Sequence, residues 1–150
     1  MLSRKLATFA IAGLLALVVS LPVSAQVSAS TTLKADIPFE FIAADKTLPA
    51  GEYTLQLGSP NRSAVAILSE NRDSHAQLFA LTSSVDKGTT PDHSSLIFHK
   101  YGDRYFLAQI WTNGVRTGLQ LPASKLEREL TKTASNFQSV AVVAQLLPRR

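Results

Sequence analysis

The sequence predicts a mainly β protein: a small antiparallel sandwich or partly closed barrel of six to seven strands, with one helix packed near the C-terminal end. Three observations carry that prediction. From Leu33 onward, apolar residues recur at every second position, the period of a strand with one buried and one wet face. The apolar runs are short and separated by brief turn-forming stretches, which suits an antiparallel meander rather than βαβ units. A single segment near residues 124–134 switches to helical spacing.

Ahead of the first strand lies a segment with its own logic. Arg4 and Lys5 give a short positive start, Leu6 to Val19 is apolar except for Thr8, and Pro22 ends the run. Val23-Ser24-Ala25 then offers small residues where a signal peptidase cuts. The expectation is a cleaved signal peptide over residues 1–25, a flexible leader over 26–32, and one β-rich domain over 33–147. The apolar run is shorter than the roughly 20 residues of a spanning helix, so no stable membrane span is expected after cleavage. The protein is therefore expected to be exported, either periplasmic or secreted.

Composition narrows the classes. The 150-residue chain has no cysteine, which excludes disulfides, thiol chemistry and lipid attachment at the cut. Its formal charge of +4 includes Arg4 and Lys5, so the chain from Gln26 onward carries +2. Basic residues are scattered, with no stripe of the kind that tracks a phosphate backbone, and no nucleic-acid partner is expected.

The elements follow in order. Leu33, Ala35, Ile37, Phe39 and Phe41 alternate with polar residues and predict a first strand; Pro38, which lacks an N–H, places it at a sheet edge or leaves that side unpaired. Ala44–Thr47 and Leu48–Gly51 are turns. Tyr53, Leu55 and Leu57 face inward from the next strand. Ala64–Ser69 and His75–Thr82 are two more, and Val85–Ser94 is the longest polar connection. Leu96–Tyr101, Gly102-Asp103 and Arg104–Trp111 form the clearest hairpin. A two-residue loop opening on Gly102 sets Tyr101 opposite Arg104, Lys100 opposite Tyr105, His99 opposite Phe106 and Phe98 opposite Leu107. Both faces of this hairpin carry apolar residues, so it belongs at the centre of the sheet. Ser124-Lys125-Leu126-Glu127 reads as a capping box opening a helix near 125–134. Leu126 and Leu130 form its narrow apolar stripe, Lys125 can pair with Glu129, and Glu127 and Glu129 are expected on its outer faces. Ser139–Leu147 is a final strand, with a helix as the alternative, and can cover the edge left by the first strand.

Five ordered motifs also carry a resemblance: Ile37-Pro38-Phe39-Glu40-Phe41, Leu48–Tyr53, Phe98–Asp103, Tyr105–Trp111 and Ser124–Leu130. Over residues 36–130 the chain resembles a group of short, exported, uncharacterised bacterial proteins. The resemblance implies a signal peptide and a β-rich domain, and implies no activity.

Candidate chemistry is sparse. His75, His93 and His99 lack the close spacing of a metal site, so neither a metal nor another cofactor is expected. Asp92-His93-Ser94-Ser95 has the residue types of a hydrolytic relay without a nucleophile elbow. Glu40, Glu52, Glu70 and Asp73 fall on wet faces or turns, and no catalytic pair is indicated. Asn61-Arg62-Ser63 fits a glycosylation sequon and reads better as a turn. An outer-membrane barrel would need longer strands. Tyr101, Tyr105 and Trp111 combine apolar rings with polar tips near the central hairpin and are the candidate lining of a ligand groove; the competing reading is that they fill a core. The expectation is an exported non-enzymatic domain that binds an unknown envelope or extracellular ligand or partner, or has a structural role there. The alternatives are a small extracytoplasmic hydrolase and a periplasmic metal-binding protein.

Overall fold

The computed structural model describes residues 30–58, 63–73, 76–133 and 136–148. The expected signal peptide, the leader as far as residue 29, the Asn61-Arg62 part of the sequon and His75 lie outside these residues. In chain order the elements are β1 (Thr31–Ile37), β2 (Phe41–Ala43), β3 (Lys46–Leu48), β4 (Gly51–Leu57), β5 (Ala64–Ser69), β6 (Gln77–Leu81), β7 (Ser83–Asp86), β8 (Ser94–Tyr101), β9 (Arg104–Trp111), β10 (Thr117–Gln120), α1 (Lys125–Thr133) and β11 (Gln138–Leu146).

Among the described residues there are eleven strands in one sheet, ordered β3-β2-β9-β8-β11-β1-β4-β5-β6, with β10 joining β9 to β7. The expected six to seven strands is an undercount. Pro38 ends β1 at Ile37, so the first predicted strand becomes two, and the last two residues of the expected leader, Thr31 and Thr32, already belong to β1. Three short strands lie outside the expected ones: β3 falls in the two expected turns, β7 runs into the expected polar connection, and β10 falls where no element is expected. Each is only three or four residues long and largely polar, so its extended state comes from a neighbour rather than from its own side chains.

The sheet is also mixed rather than purely antiparallel. Beyond Pro38 the chain crosses to the free edge of β9 and runs parallel to it, Phe41 beside Tyr105 and Ile42 beside Phe106. Nor does β1 lie at an edge: it sits between β11 and β4. The last strand does cover the first, with Leu33 opposite Leu146, and it pairs along β8 on its other side.

Closure comes from a change of partners at Thr82. Residues before it pair with β5 as β6; residues after it pair with β10 as β7, and β10 pairs back to β9. The sheet thus becomes a nearly closed barrel. Its interior is apolar, built from Leu33, Leu55, Ile67, Leu96, Phe98, Ile110 and their neighbours, while Asp36, Glu52 and Gln56 point out to solvent. That is the inverse of a lipid-facing barrel. No helix among the described residues is long and apolar enough to cross a membrane.

Tyr53 illustrates how the turns are tied to the core. Its ring is buried against Phe41, and its hydroxyl donates to Pro49 O at 2.6 Å, pinning the turn before β4. Burial pushes the phenol above its usual value, opposed in part by a hydrogen bond with Ser69. Because the folded-state value is the higher one, this contribution is complete below pH 10.0 and is lost as pH rises through the raised value. Tyr53→Phe is expected to lower stability by about 1 kcal/mol at neutral pH and to flatten the alkaline loss, as read from denaturant midpoints on both sides of that pH.

Candidate functional site

The β8–β9 hairpin has the register its turn dictates. Gly102, at φ 59, has positive φ and Asp103 does not, which marks a type II′ turn. Tyr101 faces Arg104, Lys100 faces Tyr105, His99 faces Phe106 and Phe98 faces Leu107. Adjacent cross-strand pairs point to opposite faces. Phe98 and Leu107 therefore enter the barrel, while His99, Tyr101 and Phe106 lie on its outside.

Between these pairs and the next, the register slips: Ile97 faces Gln109, leaving Ala108 as an extra residue. The bulge reverses which side the rest of β9 presents. Strict alternation would set Tyr105 and Trp111 on one face. With Ala108 inserted, Trp111 comes out opposite Ser95 on the outer side, whereas Tyr105 points inward.

The three candidate groove aromatics are thus not brought together. Tyr105 stacks on Phe39, ring centroids 3.8 Å apart, and has Lys100 Nζ 5.3 Å from its ring. It lines a shallow cavity of about 120 Å³ with Phe41, Asp103 and Arg104. Tyr101 lies beneath the helix. Trp111, roughly 20 Å further along β9, is buried against Gly118 of β10, where a Cβ would come within 2.7 Å of the ring. Its Nε1–H donates to Gln109 Oε1 at 3.1 Å, and Lys87 Nζ lies 5.6 Å from its ring. A larger cavity, about 370 Å³, opens where β1 begins and β11 ends, between Thr31, Thr112 and Leu147; none of the three aromatics lines it.

The most developed cluster of polar side chains is the junction of α1 with the outer face of the hairpin. Helix spacing predicts docking through Leu126 and Leu130, but Leu126 is 36% exposed and the buried residue of α1 is Glu127, at 6%. Its carboxylate Oε1 lies 2.8 Å from His99 Nδ1. Glu127 therefore faces in, against expectation, because a half-buried imidazole waits for it on β8. Thr131, one turn on, meets the Tyr101 hydroxyl at 3.2 Å and donates to Glu127 O. Phe137 closes the cluster, its ring 4.1 Å from that of His99 and 5.6 Å from that of Tyr101.

Two groups hold the start of the helix. Ser124 Oγ accepts the Glu127 N–H at 3.0 Å, the cap the sequence predicts. The reciprocal half of the capping box is not used, since the Glu127 carboxylate is engaged by His99. Asp45 Oδ1, from the β2–β3 turn, accepts the Lys125 N–H at 2.6 Å, placing a negative charge at the positive end of the helix dipole. Ala44 and Asp45 both have positive φ in that two-residue turn. Sequence spacing gave no sign of this contact, which joins residues eighty positions apart. Glu129 pairs with Lys132 rather than with Lys125.

The remaining candidates are dispersed. His93 is exposed, and Ser94, the next residue, is buried with its Oγ accepting the Asn113 N–H at 2.9 Å. Glu52 pairs with Lys34 across β1 and β4, and Glu70 accepts from the Thr54 hydroxyl. Asp86 has its carboxyl held below the usual range by the Gly88 N–H first and then by Arg116, a contact that ties the end of β7 to the loop before β10. No group of three or more metal-ligating residues assembles among the described residues. Chemically, a His99–Glu127 pair is the base-and-orienter half of a proton relay, but the imidazole packs against the Phe137 ring and Ser124 Oγ is occupied as the cap. The arrangement works as a joint between helix and barrel. Comparison with protein-family models, with curated proteins and with solved structures finds no match to this chain.

Proposed function

We propose that this chain is an exported, non-catalytic barrel domain that acts by binding a partner or ligand in the cell envelope or outside the cell. The observation that carries the reading is where the reactive side chains end up. His99 and Ser124 are bonded to Glu127, Tyr101 is bonded to Thr131 of α1, and the barrel interior is filled with aliphatic and aromatic side chains. What such a domain presents to its surroundings is surface. The positive start, apolar run and Val23-Ser24-Ala25 ending of residues 1–25 supply the export half of the reading.

The test is to express the full chain with a C-terminal tag in a Gram-negative host, fractionate the cells, and measure the intact mass. Intact cells are then cross-linked and the adducts identified. A product beginning at Gln26 in the envelope or medium, joined reproducibly to one component there, supports the proposal. Full-length chain retained in the cytoplasm overturns export, and a processed chain that forms no adduct but hydrolyses ester or amide substrates overturns the binding role.

A further inference from the structure

β6 is the end of the strand path, and its register shows which of its backbone groups are unused. Ser69 N–H donates to Ala76 O and Thr82 N–H to Ser63 O, both at 2.8 Å, so these pairs exchange bonds with the β5 side. Alternation then turns Leu78 and Ala80 toward β5, and turns the N–H and C=O of Gln77, Phe79 and Leu81 away from it. Among the described residues no strand pairs on that side. At one end the Lys46 ammonium donates to Gln77 O at 2.7 Å, the place a neighbouring strand's N–H would take. The outward side chains are apolar, with Phe79 73% and Leu81 76% exposed. From Ala76 to Val85 the chain has no charged residue and no proline, the usual devices that blunt an edge from within.

We propose that β6 is a self-pairing edge through which two copies of this chain form an antiparallel, two-fold dimer. The unused positions 77, 79 and 81 are symmetric about Phe79. A two-fold axis there sets Phe79 opposite Phe79 of the partner subunit and each Gln77 opposite Leu81 of the partner subunit, so all three positions form ladder bonds in one register. Two uncharged strands meet without like-charge repulsion, and cross-strand aromatic and aliphatic contacts form on the outer face. The contact is isologous and closes at two copies. One five-residue strand a side is small against the interface of a permanent dimer, so the association is reversible and concentration-dependent. Lys46 competes with it by occupying Gln77 O.

Sedimentation of the processed chain from micromolar to millimolar concentration is the test, with amide exchange read at the same concentrations. The expected result is a monomer–dimer equilibrium in which the Phe79 and Leu81 amides slow as dimer forms. Phe79→Lys, at an exposed position that leaves the fold intact, should weaken the dimer about tenfold or more by opposing two like charges. Lys46→Ala should tighten it by freeing Gln77 O. A chain that stays monomeric throughout, a dimer indifferent to Phe79→Lys, or a β6 edge that is protected only by an extended segment of some other protein would each overturn the proposal.

Discussion

Phe98→Ala is expected to destabilise the barrel by about 3–5 kcal/mol and to lower the melting temperature on the order of 10–20 °C. Phe98 is fully buried in β8, the strand held between β9 and β11. Its ring sits edge-on to Phe39 at 5.1 Å and to Phe41 at 5.5 Å, and these in turn contact Tyr105 and Tyr53. Five aromatic rings therefore run from β4 through the crossing after Pro38 to the central hairpin. Removing the middle one leaves a void lined by rings that cannot all collapse into it. Phe79→Ala removes the same atoms from an exposed position, and its cost to monomer stability should stay within about 0.5 kcal/mol. Denaturant midpoints of the two variants give the comparison directly; equal losses would mean that the barrel interior is not where stability resides.

Glu127→Ala should cost about 2 kcal/mol and act first on α1. The carboxylate is the buried anchor of an otherwise polar helix, and its loss strips His99 Nδ1 of its partner and removes the charge held close to the barrel. His99 is only partly buried, so water can reach the imidazole, which keeps the loss below that of a fully enclosed pair. Glu127→Gln keeps an oxygen for the same hydrogen bond and should lose less. A double-mutant cycle with His99→Ala isolates the pair, with an expected coupling of about 1 kcal/mol. Amide exchange across residues 128–133 should accelerate well before the strands open. A coupling near zero, with helix amides unchanged, would show that Ser124, Asp45 and Thr131 hold the helix without it.

How much of this was legible in advance depends on whether a feature is set locally. The hairpin register was, because a two-residue loop beginning on glycine leaves the strands one way to pair. The inward set Tyr53, Leu55 and Leu57 follows from period alone, the start of α1 from Ser124, and β11 from its β-branched, uncharged run. The misreadings share a different origin. β3, β7 and β10 are extended because a neighbour makes them so, and nothing in Lys46-Thr47, Ser83-Ser84 or Thr117-Gly118 announces it. The parallel pairing of β2 with β9 is a tertiary choice made after Pro38. Helical spacing nominated Leu126 as the docking residue, yet the face of α1 is chosen by His99, twenty-eight positions away from Glu127. A single inserted residue, Ala108, puts Trp111 on the opposite face from Tyr105, which strict alternation would not do. Local spacing does not say which group a side chain or strand will meet.

The position of β11 has a consequence for how the chain is made. Its nine residues lie between β8 and β1, so both of those strands face an empty slot until residues 138–146 have emerged. While the ribosome still holds residues 138–146, the segments already emerged can form the β4–β5–β6 and β8–β9 hairpins but cannot join them into one ring. Closing the ring therefore waits for β11, and it belongs to the slow class in which contacts between remote parts of a polypeptide must form together.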